Sequence, residues 1–388
     1  MGKRIVWLDG VKGLACVGVF LHHFTLAFVP AVYFGDSNIA KTGNALDVKL
    51  AQSPFGFFLN GNYMVALFCL ISALVLSLKV MDMKDKGELG SILIKRYPRL
   101  MLPIAPVIFV VYIMLKYQCF SNLEVSSVTQ SPWLGWYYVE KVDFGRCIES
   151  LLYTTWFSTD STFSNAFGML GYLFLGSVLA IVLSTFAWKI NRKALGIVYC
   201  ACVALYVREN TLSLAFVMGV LLAYCYREWK GMFGHAKIGT VCLLLGIVLG
   251  GYPSGVVPTN LYRYLNCLPP QILPYQFWHI MGAIFTVYGI WNMKGLQHLL
   301  EGKIAQVLGK LSYSIYILHI PFIFSISCYM LKVVLGSGMA YLPGVGIVFL
   351  MSLAGVLALA YVYNRYIEKG CSVLLNKILC VCYIKENK

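Results

Sequence analysis

Apolar runs of about twenty residues, each closed off by a polar cluster, recur along this chain, and nothing else in it restricts the fold so strongly. They lie near residues 11–33, 55–79, 100–117, 165–187, 194–208, 212–226, 238–253, 277–293, 311–334 and 341–364. A run of that length crosses the hydrocarbon layer of a bilayer as a helix, a form in which the backbone N–H and C=O groups are satisfied within the segment. Composition agrees: 59% of the 388 residues are hydrophobic and 12% charged, where a soluble domain carries about a quarter charged residues. The reading is an all-α, polytopic membrane helix bundle of about ten transmembrane helices. Soluble globular, disordered and fibrous classes are excluded.

The formal net charge of +15 would suggest nucleic acid in a soluble protein. Here the 31 Lys and Arg sort by side of the membrane. With the N-terminus inside, twenty-two fall in inner segments, among them Lys3, Arg4, Lys79, Lys84, Lys86, Lys95, Arg96, Arg99, Lys189 and Lys388. Eight fall in outer segments, and Lys12 lies inside the first run. That bias puts both termini in the cytoplasm and accounts for the basic charge with no nucleic-acid partner. The segment 118–164 is too polar to span, and its Trp133, Trp136, Tyr137, Tyr138 and Trp156 suit an interfacial stretch. Residues 1–388 thus read as a single integral-membrane domain with cytoplasmic tails over roughly 1–10 and 367–388. Asp9, Lys12, His22 and His23 interrupt the first run, so it is expected to stay as a helix and not to be cleaved as a leader. Most of the thirteen cysteines sit within runs as small apolar residues; Cys119, Cys147 and Cys267 are on the outer side, where one disulfide could form. No metal site is assigned.

In such a chain a titratable residue within a span is costly unless it meets a polar partner or cavity, so these residues mark function. Lys12 and His23 are eleven steps apart, three helical turns plus about 20°, which puts both on one face with roughly 16 Å between them along the axis. His22 points about 80° away. A cavity along that stripe would hold an anion at its inner end and a base deeper in; the plainer alternative has Lys12 reaching the interface and His23 bonding a neighbouring helix. Next, Lys95-Arg96-Tyr97-Pro98-Arg99 forms an inner loop just before the third run. Arg96 and Arg99, at i and i+3, could converge on a phosphate, although basic residues before a span are also what orientation demands. Last, in Gly309–Pro321 the residues Ser312, Tyr316 and His319 follow at i, i+4 and i+7 on one helical face. His319 lies roughly 13 Å in from Lys310, a depth similar to that of His23. Helix packing, with a kink at Pro321, is the plainer account of this segment.

These features in this order resemble the membrane acyltransferase-3 family, which O-acylates cell-surface and exported glycans. Leu8-Asp9-Gly10-Val11-Lys12-Gly13-Leu14 followed by His23 is similar to the family's L-D-G-x-R-G-L and R-x10-H motifs. Asn60-Gly61-Asn62 through Val65, Phe68 and Ile71-Ser72-Ala73 resembles its second-helix pattern, Arg96–Arg99 its R-x-x-R, and residues 309–321 its G-x-x-S-Y-x-x-Y-x-x-H. Trp278-His279-Ile280-Met281-Gly282-Ala283 and Ile367-Glu368 are weaker echoes. Two positions depart from the pattern. Lys12 replaces the usual arginine, a point charge in place of a fork. The carboxylate common in a W-x-x-x-E-like stretch is absent from residues 165–177, so Asp160 or Glu149 would have to substitute.

The resemblance implies an enzyme that moves an acyl group, acetyl in the first instance, from cytoplasmic acyl-CoA to a hydroxyl of a glycan or lipid-linked sugar. The plasma membrane is the expected location. Lys12, Arg96 and Arg99 would bind the polyanionic donor. His23 would be the general base, since a neutral imidazole suits proton removal near neutrality; Tyr313, Tyr316 and His319 would line the cavity and offer donors to the oxyanion. A different class is a transporter using the histidines as a proton relay, for which no half-to-half repeat is found; an inactive relative is a third.

Overall fold

Each of the ten apolar runs contains a helix in the computed structural model, which describes residues 4–83, 87–158, 160–187, 192–209 and 212–386. Lys3, Lys84, Lys86, Lys189 and Lys388 of the inner basic set lie outside the described residues. The principal helices are α1 (Val6–Phe28), α2 (Gly61–Met81), α3 (Gly87–Lys116), α4 (Gly168–Ala187), α5 (Arg192–Arg208), α6 (Ser213–Glu228), α7 (Ala236–Gly250), α8 (Pro274–Trp291), α9 (Lys303–Gly336), α10 (Tyr341–Tyr363) and α11 (Lys369–Glu386). No strand occurs among the described residues. Among the described residues, six stretches are long and apolar enough to cross a membrane: Val6–Phe28, Gly61–Met81, Leu89–Lys116, Asn165–Phe186, Lys303–Gly336 and Tyr341–Ile378. The molecule is an all-α membrane helix bundle.

Three local differences from the sequence reading have clear causes. The second run starts its α-helix at Gly61, because Pro54 opens a 3-10 turn (Pro54–Leu59) stabilised by Ser53 Oγ accepting from the Phe55 N–H. Lys95–Arg99 is part of α3 and not a loop, although Pro98, Pro103 and Pro106 lie inside that helix. Each proline withholds an N–H from the carbonyl four residues back, a loss that neighbouring side chains offset in membrane helices. The helix of the last run continues through a π turn (Asn364–Glu368) into α11.

The chain divides into two compact units. The first comprises Met1–Lys84, Thr129–Ser131 and Leu175–Ser312, and its seams are built from small residues. Between α7 and α8, a Cβ on Gly289 would lie 2.8 Å from the Leu243 nitrogen and one on Gly282 3.0 Å from the Gly250 nitrogen, so the two backbones are in contact. A second such seam joins α1 to the start of α9: Cβ atoms on Gly13 and Gly309 would lie 2.6 Å from the Leu308 carbonyl carbon and 2.8 Å from the Asp9 carbonyl carbon. Cys16 Sγ donates to the Ser312 carbonyl along the same line, at 3.2 Å.

The second unit comprises Asp85–Val128, Pro132–Phe174 and Tyr313–Lys388. Tyr97 packs on Trp156 and Phe174, with ring centroids 5.4 and 5.7 Å away, and donates its hydroxyl to the Leu152 carbonyl at 2.6 Å. Trp133 and Trp156 are buried at 2% and 0% exposure, so these two are core residues and not the interfacial belt expected of them; Trp136 is exposed. Cys119, Cys147 and Cys267 are unbridged.

The loop before α2 is held by a buried carboxylate. Asp47 accepts from the Thr42 hydroxyl at 2.6 Å and from the N–H groups of Lys41 and Val48 at 2.6 and 3.1 Å. Burial pushes this carboxyl up, but the bonds from Thr42, Lys41 and Val48 outweigh it and hold the group below the usual carboxylate range. A depressed folded-state value means that its stabilisation is present above the unfolded value, about 4, and is lost as pH falls through the folded one. Asp47→Asn is therefore expected to lower the melting temperature at neutral pH and to remove part of its fall on acidification, as a thermal-unfolding series in detergent would record.

Candidate active site

Helix α1 carries the first group of sequence-predicted site residues, all in the first unit. Near its start, Asp9 accepts two bonds from Arg4, at 2.7 and 3.0 Å, and lies 3.7 Å from Lys12 Nζ. The aspartate of the L-D-G motif thus collects cations at the helix N-terminus, where a carboxylate also suits the helix dipole. The Gly10 and Gly13 positions beside it are occupied by the backbone of Leu300 and of Leu308–Gly309, which explains why small residues flank Lys12.

Further along α1, His23 Nδ1 donates to the Val19 carbonyl at 3.0 Å and His22 Nδ1 to the Leu59 carbonyl at 2.9 Å. A carbonyl only accepts, so each Nδ1 carries the proton and each neutral ring keeps its lone pair on Nε2. The two rings meet edge to face with centroids 4.9 Å apart. His22 is the buried member, and a Cβ on Gly61 would come 2.7 Å from its Cγ.

The remaining predicted residues belong to the second unit. Arg96 Nε is buried and has no hydrogen-bond partner among the described residues, while Arg99, one turn on, is exposed. Tyr313 donates to the Leu100 carbonyl and Tyr363 to the Pro103 carbonyl, both at 2.6 Å, within the proline-rich stretch of α3 that carries the arginines. Tyr316 donates to the Ala166 carbonyl at 2.9 Å. These hydroxyl protons are engaged on backbone, so Tyr313 serves here to hold the arginine-bearing helix. His319 is buried, and its Nδ1 donates to the Ile315 carbonyl at 3.1 Å.

Asp160, one substitute for the missing carboxylate, accepts from Thr154 and Thr162 hydroxyls at 2.8 and 2.6 Å and pairs with Arg146 at 3.3 Å. Burial raises its carboxyl, yet Thr162, Thr154 and Arg146 together hold it below the usual range. Glu149, the other, pairs with the same arginine at 2.9 Å. Both are bound up in one local cluster.

A family model described as an acyltransferase domain matches residues 5–362, nearly the whole chain. The chain belongs to this acyltransferase-3 family. Among curated proteins it is similar to acyltransferase R4 of a Phoma species, 24% identical over 168 residues, which is 42% of this chain and 35% of that protein. It is also similar to acyltransferase clz18 of Cochliobolus lunatus, 27% identical over 136 residues, 33% of this chain and 29% of the relative. The chain thus spans about a third of the length of the curated relatives it matches. No solved structure matches.

Within this acyltransferase-3 chain, the motif spacing gives no sign of the contacts that Asp9, His22 and Asn60 make, and His279 stands in it only as a weaker echo. Asn60 precedes α2 yet does not cap it; its side chain donates instead to the Tyr252 carbonyl at 2.8 Å and approaches His279 Nε2 at 3.0 Å. An asparagine placed just before a helix reads as a cap, and only the fold reveals its other use.

Proposed function

We propose that the protein is a membrane-bound acyltransferase that moves an acetyl group from cytoplasmic acetyl-CoA to a hydroxyl of a cell-surface or exported glycan, in the plasma membrane. The observation that carries this reading is the contact of His23 Nδ1 with the Val19 carbonyl, 3.0 Å away. With Nδ1–H engaged on Val19, the Nε2 lone pair is the ring's basic site, the form a general base needs, on a helix inside the acyltransferase-domain match. In the proposed reaction Nε2 takes the proton of the acceptor hydroxyl as its oxygen attacks the thioester carbonyl. The carbon–sulfur bond then breaks, the coenzyme thiolate leaves, and the proton passes to it from the imidazolium. Arg96, with a buried Nε that no described residue satisfies, supports a role in holding donor phosphate, with Arg99 beside it in sequence. Lys12 is the second cationic element, tuned by Asp9.

The direct test supplies carbon-14 acetyl-CoA to the full chain in lipid vesicles with glycan acceptors and looks for labelled ester. No labelled product with any acceptor would remove the reading. Two variants check the donor site by calorimetric titration with acetyl-CoA. Lys12→Arg is expected to bind it as tightly as the natural protein or a few-fold tighter, since a planar fork grips phosphate in two bonds. Arg96→Gln is expected to weaken binding about tenfold or more, the loss of one charge-assisted hydrogen bond.

A further inference from the structure

One buried histidine of the first unit has no part in the proposed donor site or in the proposed proton transfer. His279 lies on the second turn of α8 at 1% exposure. Its Nε2 is 2.9 Å from the Tyr252 carbonyl and 3.0 Å from Asn60 Nδ2. Asn60 is oriented by two contacts: Nδ2 donates to Tyr252, and Oδ1 accepts from the Ser254 hydroxyl at 3.1 Å. Nε2 is thus satisfied in either protonation state, giving a proton to Tyr252 or receiving one from Asn60. Nδ1, by contrast, is buried with no hydrogen-bond partner among the described residues. The rings of Tyr63 and Tyr275 flank the imidazole, each with its centroid 6.2 Å away. Leu59 and Asn60, consecutive in the chain, bind His22 and His279 respectively, and His22 touches His23. The orphan nitrogen therefore belongs to the same end of the first unit as the proposed base.

A buried polar atom without a partner is costly, and its chemistry states what would satisfy it. Nδ1 offers a lone pair when Nε2 carries the proton and an N–H when it does not. A carbonyl or an ammonium matches only one of these states. A hydroxyl, which both donates and accepts, matches both.

We propose that His279 Nδ1 is a hydroxyl-recognition point, which binds a hydroxyl of the acyl acceptor, with Asn60 as the positioning residue that fixes the imidazole through Nε2. This rests on the acyl-transfer reading. The contacts at Nε2 build the site and Nδ1, through its lone pair or its N–H, does the recognising, so the two ring nitrogens have separable roles.

That separation supplies the test. In shape, an asparagine amide reproduces the Nδ1 end of histidine and a glutamine amide the Nε2 end. The full-length His279→Asn and His279→Gln variants, in lipid vesicles, would be assayed with carbon-14 acetyl-CoA and a panel of methyl hexopyranosides and glycerol as acceptors. Melting temperature with and without the same acceptors would be recorded in parallel. Expected for His279→Gln is a KM for acceptor raised about ten- to a hundredfold, with the KM for acetyl-CoA within about twofold, and loss of acceptor-induced stabilisation. His279→Asn is expected to keep both acceptor responses even if its own melting temperature is lower. The reverse pattern, with glutamine rescuing and asparagine not, would make His279 a structural residue acting through Nε2 and overturn the proposal. Equal acceptor KM values in the natural protein and both variants would also overturn it, while leaving acyl transfer intact. An absence of labelled ester in the natural protein would instead remove the acyl-transfer reading, and with no acceptor-induced stabilisation either, the hydroxyl site goes with it.

Discussion

His23→Ala is expected to lower the rate of acetyl transfer by about 10²–10⁴, the range a positioned general base contributes, while the protein's melting temperature stays within a degree or two of the natural one. The bond from its Nδ1 is local, to the Val19 carbonyl on the same helix, and its ring contact is with the neighbouring His22. His23 is only part buried, and alanine is a better helix former, so α1 should persist. His22→Ala should give the opposite signature: its ring is buried against Gly61 and donates to Leu59 across the unit, so its loss empties a packed site and strips a carbonyl of its partner. Measuring label transfer per mole of folded protein beside thermal unfolding for both variants separates the two. A His23→Ala protein that transfers at the natural rate would exclude the ring as base.

Gly13→Val is expected to be a severely damaging packing change, costing about 3 kcal/mol or more, against the roughly 5–15 kcal/mol by which a domain is typically stable. A Cβ at Gly13 would stand 2.6 Å from the carbonyl carbon and 2.7 Å from the Cβ of Leu308. Backbone cannot rotate aside as a side chain can, so α1 and the start of α9 would have to part, and the Cys16–Ser312 contact with them. Gly309→Val should act alike from the other side of the seam, where the Asp9 carbonyl carbon is 2.8 Å away. The control is Gly346→Ala on α10, where an added Cβ meets nothing within 4 Å and removing a helical glycine is neutral or gains up to about 1 kcal/mol. Yield of monodisperse protein and its melting temperature provide the readout. If Gly13→Val were as stable as the control, the close approach of these helices would be refuted.

The seam also shows why part of the site was legible in sequence. The first-helix motif combines Asp9 and Lys12 with Gly10 and Gly13, and the spacing alone places the polar residues on a helix; it does not say that the glycines are there to admit another backbone. The prolines of α3 misled for the converse reason. Proline near a basic cluster reads locally as a loop, whereas Pro98, Pro103 and Pro106 all lie inside one continuous helix, as membrane bundles tolerate. The aromatic residues of 118–164 divided likewise, with Trp136 outward and Trp133 and Trp156 in the core, because burial depends on which helices come to cover them.

Sequence by itself determined that the chain is a membrane helix bundle, that each of its apolar runs holds a helix, and that it carries an acyltransferase-3 pattern with Lys12, His23, Arg96, Arg99 and His319 at matching positions. Hydropathy and helical period are local properties and are complete within a window of about twenty residues. Only the tertiary structure decided how each polar atom is satisfied. His279 and Asn60 stand 219 residues apart in the chain, and Gly13 meets Leu308 through a helix-to-helix contact. Whether a buried nitrogen has a partner depends on which distant backbone the fold brings within hydrogen-bonding distance, and no local window contains that information.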